Sequence, residues 1–288
     1  IRTGDSTTVF QGILSDAIVN QDTQESGRIA DFSTLKETGT FRLVVSEIGQ
    51  STAFAVGDDL YQIPFTTVMK GMYLWRCGTA VSAVHRGILY AHDACHLDDG
   101  YLDFVGEKGA KKDALKGWHD AGDYNKYIVN TGVTVGAMFQ AWEQFPSIHE
   151  LRLELPASET ANSLPDFLDE MKWEMEWVLA MQASDGSVYH KLSTTKFGGF
   201  IMPETEKEKR YFTSWGSAAT ADFVAMTAMA SRIFEPYDPA FSQRCRDAAL
   251  QSYSFLVAHP DDHRPDLQSF STGEYQRSEE RRVGKECR

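Results

Sequence analysis

The chain has 288 residues, 42% hydrophobic and 12% aromatic, enough for one large packed domain or two smaller ones. No apolar run is long enough to span a membrane. The formal net charge of −13 argues against nucleic acid or an anionic membrane as partner, since both require a basic surface. Four cysteines, Cys77, Cys95, Cys245 and Cys287, are too few for a disulfide scaffold at this length. The sequence opens on Ile1 with no signal-like segment, so export is not legible from it.

Residues 1–60 read as β structure. "TTVFQGIL" (7–14), "TFRLVV" (40–45) and "STAFAVG" (51–57) alternate Thr, Val and Phe with polar residues, the pattern of short antiparallel strands with one buried face. Three or four strands are too few for a full sandwich. After Pro64 the period becomes helical, with helices expected over 65–81, 131–145, 165–182, 217–234 and 238–259. For the third, Ser163 is the expected cap, Pro165 suits the first turn and Asp166, Asp169 and Glu170 favour its positive end. Its apolar residues fall on two faces, Leu168/Met171/Met175/Leu179 and Trp173/Trp177, which predicts a helix sandwiched between neighbours. The fifth has Asp238 as N-cap and Pro239 behind it. Two long loops, 85–128 and 183–215, separate these helices, and long loops in compact domains are usually functional.

The tail 277–288, "RSEERRVGKECR", has five basic and three acidic residues and no apolar face. It reads as the conceptual translation of a sequencing adapter, so it is expected to be non-native, and Cys287 with it.

Cys77 and Cys95 have two histidine companions in the pattern Cys77-x17-Cys95-His96-x22-His119. Two thiolates and two imidazoles suit a closed tetrahedral zinc site of structural type. A Cys77–Cys95 disulfide with bystander histidines and a pair of buried reduced cysteines are alternatives on the same residues. Cys245, mid-helix between Arg244 and Arg246, reads as a small packing residue.

The stretch "GWHDAGDYNKY" (117–127) places Asp120 and Asp123 three residues apart around Ala121-Gly122. In a tight turn that spacing lets two carboxylates converge on one water, hold it and take its proton. Trp118, Tyr124 and Tyr127 offer faces to sugar rings. The competing reading is a helix N-terminus with Asp120 as cap. The segment lacks the acidic repeat of an EF-hand.

"GWHDAGDYNKY" resembles the signature of glycoside hydrolase family 9, the inverting cellulases. "LWRCGTAV", "AHDACHLDDG", "SLPDFLDEMKWEMEWVLAMQASDGSVYHK" and "FGGFIMPE" are similar to that family in its usual order. "IADFSTLKETGTFRLVV" and "STAFAVGDDLY" resemble the immunoglobulin-like domain that precedes the catalytic domain in one branch. The resemblance implies a β-sandwich (immunoglobulin-like) remnant over 1–60, followed by an all-α part over 61–276. That part would belong to an (α/α)6 barrel of twelve helices in two rings, of which the periodicity accounts for five. It implies hydrolysis of β-1,4-glucosidic bonds with inversion, Asp123 as general base and Asp120 as its partner. Tyr124, Trp118 and His190 are the expected substrate contacts, with a solvated loop histidine as the alternative for His190. It implies zinc at Cys77, Cys95, His96 and His119. Calcium is a further option with no ligands assigned. The partner is a β-glucan and the location secreted or periplasmic.

The resemblance also implies a general-acid glutamate near the end of the barrel, beyond residue 288, so the expectation is a chain inactive on its own. Glu170 reads as dipole compensation at a helix start, and Glu204 and Glu206 as solvated. Other readings are an exo-β-glucosaminidase or mixed-linkage glucanase on the same fold, a non-catalytic carbohydrate-binding protein, and a zinc-stabilised helical interaction module. The last two leave the paired aspartates unexplained.

Overall fold

The computed structural model describes residues 1–156 and 161–271. The chain divides into two compact units, Ile1–Phe65 and a second beginning at Thr66. The tail expected to be non-native lies outside the described residues.

The first unit holds three two-stranded antiparallel ladders. These pair β1 (Ile18–Val19) with β2 (Ser26–Gly27), β3 (Gly39–Phe41) with β6 (Phe54–Val56), and β4 (Val44–Val45) with β5 (Gly49–Gln50). Phe41 is buried, and its ring meets Phe54 at 6.4 Å between centroids, with Phe32 on the other side of Phe54 at 5.4 Å. The strand expected over 7–14 does not form. Val9, Phe10 and Leu14 line an apolar groove of about 350 Å³ with Phe32, Leu35 and Phe41. None of Val9, Phe10 and Leu14 is fully buried, the half-buried Val9 and Phe10 are adjacent rather than alternating, and Ile13 is 95% exposed, so the alternation in the sequence did not correspond to a buried strand face.

The second unit carries five helices: α1 (Gln62–Leu74), α2 (Ile128–Gln144), α3 (Asp166–Ala180), α4 (Ser217–Phe234) and α5 (Pro239–Ala258). The α1 start lies before the unit boundary. This helix ends seven residues earlier than the periodicity suggested, because Cys77 N–H bonds to Gly117 O and the chain turns into a hairpin. That hairpin, β7 (Val81–His85) and β8 (Ile88–His92), occupies part of the region read as loop. Its turn residues Arg86 and Gly87 both have positive φ, 50° and 78°, the geometry of a tight two-residue turn.

No residue of α3 is exposed, which fits the two apolar faces. Ser163 does not cap it. The helix starts directly after Pro165 with no side-chain cap, and the Asp166 carboxylate instead accepts from Leu153 N and Arg152 Nη1, each at 2.9 Å. The start of α5 is as expected, with Asp238 accepting from Phe241 N at 3.0 Å and Pro239 in the first turn. Helix α4 packs between α2 and α5. Phe139, Phe234 and Phe241 form the aromatic spine of this contact, with ring centroids 6.4 and 4.9 Å apart. Cys245 on α5 is fully buried, in line with a packing role.

One small sheet organises both long loops. β9 (Lys126–Tyr127), β10 (Lys191–Ser193) and β11 (Tyr211–Phe212) form a three-stranded antiparallel sheet in the order β11-β10-β9. Strand propensity in such two- and three-residue pieces is weak, and tertiary pairing decides them.

Candidate active site and metal centre

The site is built on a short antiparallel pairing between 75–77, just after α1, and 117–119. Cys77 N–H donates to Gly117 O at 2.8 Å and His119 N–H to Trp75 O at 2.9 Å, with Arg76 opposite Trp118. Gly117 has φ +78°, and a Cβ there would meet Trp177 Cγ at 2.8 Å, so only glycine fits. Side chains alternate across such a pairing. One face carries Arg76 and Trp118, the other Cys77 and His119.

The first face meets two buried carboxylates of α3. Glu170 is ion-paired to Arg76 at 3.0 Å and accepts from Trp118 Nε1 at 2.7 Å. Glu174 accepts from Trp118 N at 2.5 Å and from Thr131 Oγ1 at 3.0 Å. Trp118 is thus held at both ends. Burial pushes the Glu174 carboxyl up to about 8, against the pull of these hydrogen bonds. Glu170 was read as dipole compensation at a helix start, but it is completely buried and its charge is balanced by Arg76. The Glu206 side chain is also buried rather than solvated, and its carboxylate accepts from Glu208 N at 2.8 Å. Glu204 is half-buried.

The second face meets Cys95 and His96, which follow β8. The ligand atoms of Cys77, Cys95, His96 and His119 all lie within 4.8 Å of one another, and Cys95 Sγ is 3.6 Å from His119 Nε2. Both cysteines are free and buried. Both ring nitrogens of His96 are buried without a hydrogen-bond partner, which is costly unless a ligand takes one of them. Burial lowers the His119 imidazole to about 4, so it is neutral at pH 7, as a metal ligand must be. Burial alone would raise the Cys77 thiol. A hydrogen bond from Cys95 and the charges of Arg210 and Lys126 outweigh it and hold Cys77 well below the usual thiol range. Cys95 is pushed up by that same hydrogen bond and by burial. Among the described residues this is the one such group with metal-ligand geometry. The donor set, two sulfurs and two imidazoles in a closed cluster, fits a tetrahedral cation with no open position.

Directly after His119 the chain makes a tight turn, closed by Asp120 N to Asn125 O at 2.9 Å and Tyr124 N to Ala121 O at 3.0 Å. Both aspartates sit on it. Asp123 is buried, and its Oδ2 accepts from Tyr127 Oη at 2.7 Å and Asn125 Nδ2 at 3.0 Å. The Asn125 backbone N–H makes a longer contact of 3.3 Å to Oδ1. Asn125 is fixed in turn by Thr194 N, which donates to its Oδ1 at 2.9 Å. Asp120 is exposed, and Asn130 Nδ2 donates to its Oδ1 at 3.0 Å. Asp120, Trp118, Trp75, Tyr127 and Asn130 line a pocket of about 360 Å³.

Of the expected substrate contacts, Trp118 is buried with one edge on that pocket. Tyr124 is half-buried, stacked edge-on to His119 at 5.0 Å, and its hydroxyl donates to Ile201 O. His190 is only 4% exposed, just before β10, which removes the solvated-loop alternative. Sequence reasoning missed Asn125, Tyr127 and Asn130 as carboxylate partners. A usable signal was present: in a strand-like segment 123, 125 and 127 share one face. Arg76, Glu170 and Glu174 had no such signal, because their partners are distant in sequence.

The Glu174 carboxyl yields a test. A folded pKa raised to about 8 means the native state holds a proton that the unfolded chain, at the ordinary carboxyl value, has lost. Its contribution is fully present below the unfolded pKa and is lost as pH rises through about 8. Urea unfolding from pH 5 to 8.5 is expected to show a fall in stability that Glu174→Gln flattens. Identical pH slopes in both proteins would contradict the assignment.

The description "Glycosyl hydrolase family 9" matches residues 61–284, and "Cellulase N-terminal ig-like domain" matches residues 1–50. Endoglucanase D of Acetivibrio thermocellus is 53% identical over 274 residues, covering 94% of this chain and 43% of that protein. The crystal structure of the family 9 endoglucanase J30 superposes with a TM-score of 0.82 at 32% identity, covering 96% of this chain and 52% of that one. A Zn-binding triple mutant of J30 superposes with a TM-score of 0.80 at 32% identity and the same coverage. The chain therefore spans about half the length of these relatives or less, and among the described residues no helix is long and apolar enough to cross a membrane. Family match, identity and fold agree: the chain belongs to glycosyl hydrolase family 9.

Proposed function

We propose that the protein hydrolyses β-1,4-glucosidic bonds of cellulose or a related β-glucan with inversion of configuration. Asp123 is the general base and Asp120 its partner on the nucleophilic water. The observation that carries this reading is the turn 120–125. It puts an exposed carboxylate at the rim of an aromatic-lined pocket and a second, buried one three residues on, with its Oδ2 fixed by Tyr127 and Asn125. Fixing Oδ2 orients Oδ1 as the atom that accepts the proton. The water oxygen then attacks the anomeric carbon from the face opposite the leaving oxygen. Trp118 and Tyr124 offer sugar-facing surface beside the turn, and His190 a further contact from the sheet. A polymeric substrate fits action outside the cytoplasm.

Inversion also needs an acid that protonates the leaving oxygen. Glu170 and Glu174 are committed to Arg76, Trp118 and Thr131, which removes them as candidates. The acid is assigned to the part of the family fold that this chain does not span, and residues 1–288 alone are inactive.

The four-residue metal group holds zinc. Bound there, zinc cross-links the segment after β8 to the 75–77/117–119 pairing and serves structure rather than bond cleavage. The convergent donors and the unpartnered His96 nitrogens support this.

In the full-length protein, Asp123→Ala is expected to lower kcat on soluble cellulose by ~10²- to 10⁴-fold, the usual contribution of a positioned base. Polarimetry should show the α-anomer released first. Undiminished turnover in the variant would remove Asp123 from the chemistry, and reducing sugar released by residues 1–288 alone would overturn their inactivity. Comparing cellulose, mixed-linkage glucan and chitosan oligomers separates the glucanase from the glucosaminidase reading.

Elemental analysis of the purified, reduced chain is expected to give about one zinc per molecule, the stoichiometry of a closed structural site. Cys77→Ser should lose it. A folded wild-type chain free of zinc after metal loading would contradict the metal reading.

A further inference from the structure

Arg210 immediately precedes β11, and its side chain is almost completely buried at 1% exposure. All three of its nitrogens have partners. Nη2 donates to Cys77 Sγ at 2.9 Å. Nε donates to Asp99 Oδ1 at 2.9 Å, and Nη2 also to Asp99 Oδ2. Nη1 donates to the carbonyl of Tyr124. Cys77 belongs to the metal group, and Tyr124 directly follows Asp123. Tyr124 has φ +55°, a left-handed conformation that a bulky aromatic residue adopts only when its surroundings enforce it.

We propose that Arg210 is a positioning residue that ties the metal ligand Cys77 to the turn carrying Asp123. One arm of the guanidinium hydrogen-bonds the ligand sulfur, the other holds the Tyr124 carbonyl, and Asp99 orients the fork. The proposal rests on the zinc reading above. A planar guanidinium is suited to this, since it presents fixed donors in two directions at once. An ammonium carries all its donors on one nitrogen and lacks the rigid fork that spans a sulfur on one side and a carbonyl on the other. Arg210 and Asp99 form a neutral buried pair, so the sulfur gains a strong donor with little added net charge. Lys126 Nζ, 3.8 Å from Asp99 Oδ2, reinforces that carboxylate from the other side. Hydrogen bonds from the surroundings to a ligand atom tune both its orientation and its donor strength.

The test uses the chain of residues 1–288 with zinc and with cobalt(II). Arg210→Met and the charge-conserving Arg210→Lys are expected to weaken zinc binding in chelator competition by about 10- to 100-fold. The thiolate-to-cobalt charge-transfer band should move to lower energy, because the sulfur has lost a donor. With zinc kept saturating, amide exchange at Asp120, Tyr124 and Asn125 should accelerate. Phe139→Leu, in the α2–α4 core, controls for lost stability and should leave the cobalt band unmoved. Arg210→Lys matching wild type in affinity, band and exchange overturns the proposal, as does a loss no larger than in Phe139→Leu. A wild-type chain that binds no zinc overturns the metal reading together with the proposal. Normal zinc binding with indifferent Arg210 variants overturns the proposal alone.

Discussion

The site depends on one short antiparallel contact, 75–77 against 117–119. Two backbone hydrogen bonds define it, Cys77 N to Gly117 O and His119 N to Trp75 O. The alternation of side chains across it does the rest. Arg76 and Trp118 turn toward Glu170 and Glu174 on α3, while Cys77 and His119 turn toward Cys95 and His96. The aspartate turn begins at the next residue, Asp120, so its position is inherited from this contact. Gly117 is the point at which the arrangement is most easily lost, since any side chain there collides with Trp177.

Around this contact lies an unusual density of buried charge. Arg76, Asp99, Lys126, Glu170, Glu174 and Arg210 are each less than a tenth exposed. Burying such groups costs free energy that their mutual attraction offsets only with good geometry, so they are weak evidence for stability. They are better evidence for a fixed arrangement. Lys126 donates to Ala114 O at 2.8 Å and Lys116 O at 2.7 Å, and Arg210 reaches Cys77, Asp99 and Tyr124. Each of these polar contacts fixes a backbone segment that has little regular structure of its own. That is how residues 93–125, between β8 and β9, hold the aspartate turn with only isolated bridges of regular structure.

The sequence made the long elements legible. Helix α2 carries a 3.6-residue apolar period, an Ala-rich run marked α4, and Asp238-Pro239 announced the start of α5. The two apolar faces of α3 announced its burial on all sides. The strand expected at 7–14 failed because the segment has neither a pairing partner nor a buried face, with Ile13 95% exposed. The β7–β8 hairpin was missed because Arg-Gly is a weak turn signal. For the site, residue chemistry alone suggested the Cys77, Cys95, His96 and His119 set and the Asp120/Asp123 pair. The family resemblance raised zinc and the base over their alternatives. Glu170, Glu174 and Arg210 were not legible, since their partners lie between 43 and 133 residues away and no local pattern links them. The Glu170 error has a clear cause: a carboxylate near a helix start usually answers the dipole, and here Arg76 and Trp118 claimed it.

The central claim is that the metal group positions the aspartate turn. The most direct measurement is residue-resolved amide exchange on the chain with zinc bound and after removal of zinc by a chelator. The account predicts strong protection at Asp120, Tyr124 and Asn125 with zinc. That protection should be lost on chelation while α4 and α5 stay protected. Equal protection of the turn with and without zinc would show that the aspartates hold their place independently of the metal group and would contradict the account.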